Sequence, residues 1–191
     1  SYQAGLDAGI NPKLFKGSRT GVFVGASTSE SEVVWCYERD APEGLPLSGN
    51  SRALLANRIS FSLNLNGPSM AVDAACSSSL MALDLAYNAI ALGECDAAIV
   101  AGTSVILNAM SSLHFFRLGI ISPTDMCRPF DEKADGYTRS ETICTILLQK
   151  KKDAKRNYGS LIYSLVNCDG YKPEGIHFHK GDIHMVLLEE F

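Results

Sequence analysis

The 191-residue sequence has little excess charge, one tryptophan and no long apolar run, and each shortage excludes a class of protein. Its 17 Lys+Arg against 21 Asp+Glu leave a formal charge of −4. Nucleic-acid binding is disfavoured, because neutralising phosphates needs clustered Lys and Arg. The one dense basic run, Lys150 to Lys152 with Lys155 and Arg156, reads as a solvated helical turn. No stretch approaches the roughly 20 apolar residues of a membrane helix, and Ser1 to Gly5 has no basic segment leading into an apolar one. The six cysteines, at 36, 76, 95, 127, 144 and 168, form no CxxC pair, which leaves no zinc-finger or disulfide framework. Reduced thiols in a cytoplasmic protein are the expectation. With 20% charged and 46% hydrophobic residues, the chain is neither a disordered polar tail nor a fibrous repeat.

What is present is alternation. Short apolar runs at Val22 to Val24, Met70 to Val72, Ala97 to Ala101, Ile143 to Leu148 and Leu161 to Val166 suit strands buried on both faces, the kind found in sheets covered by helices. Between them, Ser51 to Asn57 and Ser77 to Leu92 are rich in helix formers. The second is apolar on nearly every side around Asp84, which predicts a helix in the middle of a layered fold, capped at its end by Gly93. The class is therefore α/β with a mostly parallel or mixed sheet. Both ends read as cut, since Tyr2 to Gly9 looks like the last turns of a helix and Ile183 to Phe191 like one still running.

The chemistry concentrates at Gly67 to Leu80, where an apolar strand runs into Val-Asp-Ala-Ala-Cys-Ser-Ser-Ser-Leu and a helix begins. A helix N-terminus presents free N–H groups and the positive end of its dipole, which favours thiolate over thiol. Cys76 is thereby placed to be a nucleophile. Ala74, Ala75 and the three serines leave room for a thioester, and the Cys76 N–H is positioned to donate to a developing oxyanion. The competing reading is a buried inert cysteine with serines capping a helix.

The string Val72 to Leu80 resembles the active-site signature of the β-ketoacyl synthases, the condensing enzymes of fatty-acid and polyketide synthesis. Other segments are similar to that family too: Asp7 to Pro12 with Thr20 to Gly25, Asn57 to Phe61, Arg117 to Pro123, Arg128 to Asp131, and Asp135 to Glu141. Arg139-Ser140-Glu141, and Asn167 to Lys172 followed by Gly175, look most like the animal multifunctional fatty acid synthases. The resemblance implies a thiolase-like layered fold with a five-stranded mixed sheet, and residues 1–191 as the N-terminal portion of a synthase domain truncated at both ends. It also implies that Cys76 takes an acyl chain from acyl carrier protein for decarboxylative condensation with a malonyl unit. The implied partners are acyl carrier protein, which itself bears the phosphopantetheine, and a second copy in a homodimer. No cofactor of the chain's own is needed for this step. A polyketide ketosynthase segment, a cysteine acyltransferase or thioesterase, and a non-catalytic acyl-binding homologue stay open as alternatives.

The family's catalytic histidines and lysine lie well beyond the nucleophile. None of the four histidines here, at 114, 177, 179 and 184, sits in the glycine- and threonine-rich setting of the first of them, which would follow Phe191. His114, beside two phenylalanines, reads as packed. His177 and His179, with Asp182 or His184, have spacing that could hold zinc or copper, a weak signal. Asp73 is expected to bind backbone at the strand end rather than act as a base, and Glu141 to pair with Arg58 or Arg139. Thr142 stands where the family usually has glycine, which predicts a strained turn or a narrowed site.

Overall fold

The structure is a computed structural model, described here over residues 1–37, 44–176 and 181–190. Four strands form one sheet: β1 (Thr20–Gly25), β2 (Ser69–Val72), β3 (Ala97–Ser104) and β4 (Thr142–Gln149). Their order is β2-β1-β3-β4. β1 lies parallel to β2 and β3, with Phe23 opposite Met70 and Val100, and β4 runs antiparallel along β3 with Thr142 opposite Ser104. The helices are α1 (Tyr2–Asp7), α2 (Glu30–Glu32, one turn), α3 (Gly44–Asn50), α4 (Ala53–Leu63), α5 (Ser78–Ala91), α6 (Ala109–Arg117) and α7 (Gly181–Glu190).

Every residue of β1 is buried, which marks it as the central strand. Because successive strand side chains point to opposite faces, the core divides into two layers. On one face Val22, Val24, Ile99 and Ala101 pack with Phe15, Ala56 of α4 and Leu65. On the other, Phe23, Ala98 and Val100 pack with Ala82, Ala86 and Ala89 of α5 and with Cys95, whose thiol is pushed up by burial. Alanines four and three residues apart form one stripe on α5 and let the helix lie close on the sheet.

The helix ends have local causes. Asn64 takes the left-handed conformation (φ 52°) after α4, and Leu65 N–H reaches back to Ser60 O at 2.8 Å, closing the last turn. Gly93 (φ 76°) does the same after α5.

Five expectations fail. β2 and β4 are not buried on both faces, for no residue of either strand is fully buried. Leu161 to Val166 is not a strand: it finds no neighbouring strand to complete its backbone hydrogen bonds, and Ile162 is 85% exposed, so the sheet has four strands among the described residues instead of five. Lys150 to Arg156 forms a turn, closed by Asp153 N–H to Lys150 O at 2.8 Å, rather than a helix. The helix expected at Ser51 to Asn57 starts two residues later and runs on to Leu63. α5 does not bury every side, for Leu80, Asn88 and Ala91 stand exposed.

Candidate functional site

All three parallel strands end at one rim, and the loops that follow them gather there. β2 ends at Val72, and Asp73 to Ser77 make the turn into α5. Within it Ala75 has φ 50°, a left-handed conformation that costs an alanine roughly 1 kcal/mol. This sharp bend leaves Cys76 exposed between the strand and the helix. Ser78, buried at the first position of α5, pins the bend: its hydroxyl donates to Ala75 O at 2.5 Å and accepts from Ala74 N–H at 2.9 Å.

The helix comes close to the strand ends because two glycines admit it. A Cβ on Gly25, the last residue of β1, would stand 2.5 Å from the Ser78 backbone, and one on Gly102 of β3 would stand 2.9 Å from Ser79 Cβ. The Cys76 turn therefore sits over the ends of β1 and β3.

Asp73 behaves as expected, accepting from Ala75 N–H at 3.1 Å. Its carboxylate also pairs with Arg52, whose guanidinium donates to Ser27 O at 2.7 Å and so joins the loop after β1 to the Cys76 turn. The Ala75 N–H first, joined by Arg52 and Ser27, holds the Asp73 carboxyl below the usual carboxylate range against the opposing effect of burial. A cavity of about 350 Å³, lined by Ala26, Arg52, Asn57, Ser69, Met70 and Asp73 among others, opens beside this pair.

Glu141 pairs with neither predicted arginine. It accepts from Ile106 N–H at 2.8 Å, while Arg58 donates to Gly49 O at 2.6 Å and Arg139 faces Glu30 at 3.7 Å. Thr142 is unstrained: it opens β4 opposite Ser104 in extended backbone, where a β-branched residue fits well. His114 is exposed on α6, not packed. His177 and His179 lie outside the described residues, and His184 Nε2 stands 4.0 Å from Asp169 Oδ1. Among the described residues no group of three His, Cys, Asp or Glu could hold a metal ion, and no helix is long and apolar enough to cross a membrane.

Residues 1–154 match the family model of the β-ketoacyl synthase N-terminal domain. The chain belongs to the β-ketoacyl synthase family. A fatty acid synthase of the goose Anser anser anser is 45% identical over 188 residues, covering 98% of this chain and 53% of that relative. A phenolphthiocerol/phthiocerol polyketide synthase of Mycobacterium tuberculosis (strain CDC 1551 / Oshkosh) is 38% identical over 174 residues, 89% of this chain and 9% of its own length. The solved ketosynthase from module 6 of the bacillaene synthase of Bacillus subtilis 168 superposes with a TM-score of 0.87 at 33% identity, covering 99% of this chain and 32% of that one. The chain thus spans about half of the goose relative and a small part of the polyketide synthase. Its layered α/β architecture is the thiolase-like fold of these ketosynthases.

Sequence reasoning missed Ser78 as the pin, Arg52 as the partner of Asp73, and Glu30. An arginine 21 positions upstream of the aspartate gives no local signal. Ser78 carried one, as a small hydroxyl residue at a helix start.

Proposed function

We propose that this β-ketoacyl synthase chain is the N-terminal portion of the condensing domain of an animal-type multifunctional fatty acid synthase, and that Cys76 is its nucleophile. The observation that carries the reading is the placement of Cys76: exposed, one residue after the bent Ala75, at the strand-to-helix turn over the sheet rim. The 45% identity to the goose fatty acid synthase, against 38% to the polyketide synthase, supports a fatty-acid product.

In the proposed step the Cys76 thiolate attacks the thioester carbonyl of an acyl chain carried on the phosphopantetheine of acyl carrier protein. A new S–C bond forms, the donor's C–S bond breaks, and the donor leaves as thiolate to take up a proton. The Cys76 N–H, in the turn two residues before α5, is the assigned oxyanion donor. A malonyl thioester then loses carbon dioxide, and the carbon left with the electron pair attacks the acyl-Cys76 carbonyl, forming C–C and releasing the Cys76 thiolate. The enolate needs electrophilic hydrogen bonds, for which the chain offers no suitable histidine at this rim among the described residues. Those groups are assigned to the rest of the domain, so this chain alone accepts acyl groups without condensing them. The step needs no metal or organic cofactor bound to the chain, and the proposed setting is a cytoplasmic homodimer.

The test is incubation of the 191-residue chain with octanoyl N-acetylcysteamine thioester, followed by peptide mass spectrometry, with and without a malonyl thioester. Acylation confined to Cys76 and lost in Cys76→Ala is expected, with no ketoacyl product. Equal labelling of the other thiols would overturn the assignment, and release of free acid alone at multiple turnover would replace it with a thioesterase.

A further inference from the structure

Glu30 lies five residues beyond the end of β1 and belongs to no motif, yet it joins the two loops that follow β1 and β3. Its Oε2 accepts from Leu107 N–H at 2.5 Å and from Asn108 N–H at 2.6 Å, and its Oε1 accepts from the Ser111 hydroxyl. Glu141 takes the preceding amide, Ile106 N–H, at 2.8 Å. Three consecutive backbone donors, in a stretch with no regular structure, are thus held by two carboxylates. Arg139 closes the cluster. Its guanidinium stands 3.7 Å from Glu30 Oε1 and 3.4 Å from Ser111 Oγ, and lies over the Phe115 ring at 4.8 Å. The Glu30 and Arg139 side chains are only 11% and 16% exposed, so the pair is shielded far more than the Arg52–Asp73 pair.

The segment so held, Val105 to Asn108, leaves the rim three residues after Gly102, the glycine that seats α5 beside Cys76. At roughly 3.3 Å per extended residue, Asn108 stays within about 20 Å of Gly102. We infer that Glu30 is a positioning residue for the Cys76 site: it fixes the Val105–Asn108 segment as a wall of the acyl-accepting rim without touching the reacting atoms. This rests on the reading of Cys76 as the acyl acceptor.

Hydrogen exchange and acylation of the 191-residue chain test the two halves separately. In the wild type the amides of Leu107 and Asn108 are expected to exchange more slowly than unbonded loop amides, through Glu30 alone. Glu30→Leu should raise their exchange about tenfold while Ile106, held by Glu141, stays protected. The same variant should slow acylation of Cys76 by octanoyl N-acetylcysteamine thioester about tenfold and leave its alkylation by the small reagent iodoacetamide within about twofold. Glu30→Gln keeps an acceptor for the two amides and should recover most of both losses. Wild-type amides at 107 and 108 exchanging at loop rates would overturn the clamp even if Glu30→Leu fails to fold. Acylation unchanged in Glu30→Leu, or falling in step with alkylation, would overturn the positioning role. A wild type that is alkylated but never acylated at Cys76 would overturn the acyl-acceptor reading and the positioning role with it, while the exchange pattern would still decide the clamp.

Discussion

Ser78 holds Ala75 in its left-handed conformation through a 2.5 Å hydrogen bond from its hydroxyl to the Ala75 carbonyl. Because Ala74 N–H also donates to that hydroxyl, one buried side chain closes both sides of the bend that presents Cys76. Ser78→Ala leaves the Ala74 N–H without its partner, while the Ala75 carbonyl keeps only the Ser78 N–H at 3.1 Å, and should destabilise the chain by about 1–2 kcal/mol. Urea unfolding checks this. Ala75→Gly removes the steric cost of the positive φ and should restore part of the loss in the double variant. An unchanged unfolding midpoint in Ser78→Ala would show that the hydroxyl is dispensable to the bend.

Arg52 and Asp73 make a contrasting prediction. Their side chains are 45% and 43% exposed, so the ion pair is screened by water and adds little to stability. Arg52 nonetheless ties Ser27 O to the Cys76 turn. Arg52→Ala should therefore keep the urea midpoint while slowing acylation of Cys76 severalfold. A large fall in midpoint with unchanged acylation would reverse that division between stability and positioning.

The same contrast shows what was legible in the residues. The buried strands β1 and β3, the helix from Ser78 to Ala91 and the Cys76 turn could be read because each is encoded within a few consecutive positions, by apolar runs, by helix formers and by a short motif. Arg52 with Asp73, and Glu30 with Leu107, Asn108 and Arg139, are contacts between loops far apart in sequence, created only when β1, β2 and β3 end at one rim. No periodicity announces them. Leu161 to Val166 misled for a related reason, since an apolar run reports a preference for burial and pairing but not whether a neighbouring strand is there to pair with.

Glu30 gives stability a definite pH dependence. Burial opposes its ionisation, but the Ser111 hydroxyl, the Asn108 and Leu107 N–H groups and the Arg139 guanidinium outweigh it and hold the carboxyl below its ordinary value of 4.5. The folded state then binds the proton more weakly than the unfolded state, so the contribution is complete above about pH 4.5 and is lost as pH falls through the lowered folded value. Urea midpoints measured from pH 6 down to about pH 3 should fall more steeply for the wild type than for Glu30→Gln. Parallel curves would show that Glu30 titrates alike in both states.

The last prediction concerns surface. An accessible area of 13311 Å² belongs to a chain of 20.6 kDa, whereas a folded monomer of that mass exposes about 8,900 Å². Large apolar side chains add to it: Phe61 is 89% exposed, Phe116 63%, Leu118 66%, and Phe130, with φ 63°, is fully exposed. Its loop is nevertheless well anchored, with Ser122 buried and bonded to Asp135 at 2.7 Å and Tyr137 N–H bonded to Ile120 O at 3.0 Å. A large apolar surface on a firmly held loop and helix is a surface that water penalises and a partner relieves. Sedimentation of the isolated chain at tens of micromolar should show species heavier than 20.6 kDa, and an apolar dye should bind without denaturant. Phe116→Lys with Phe130→Asp should shift the distribution toward monomer without lowering the unfolding midpoint, because neither side chain contributes to the packed core. A monodisperse wild-type monomer that leaves the dye dark would show that this face is covered within the chain itself.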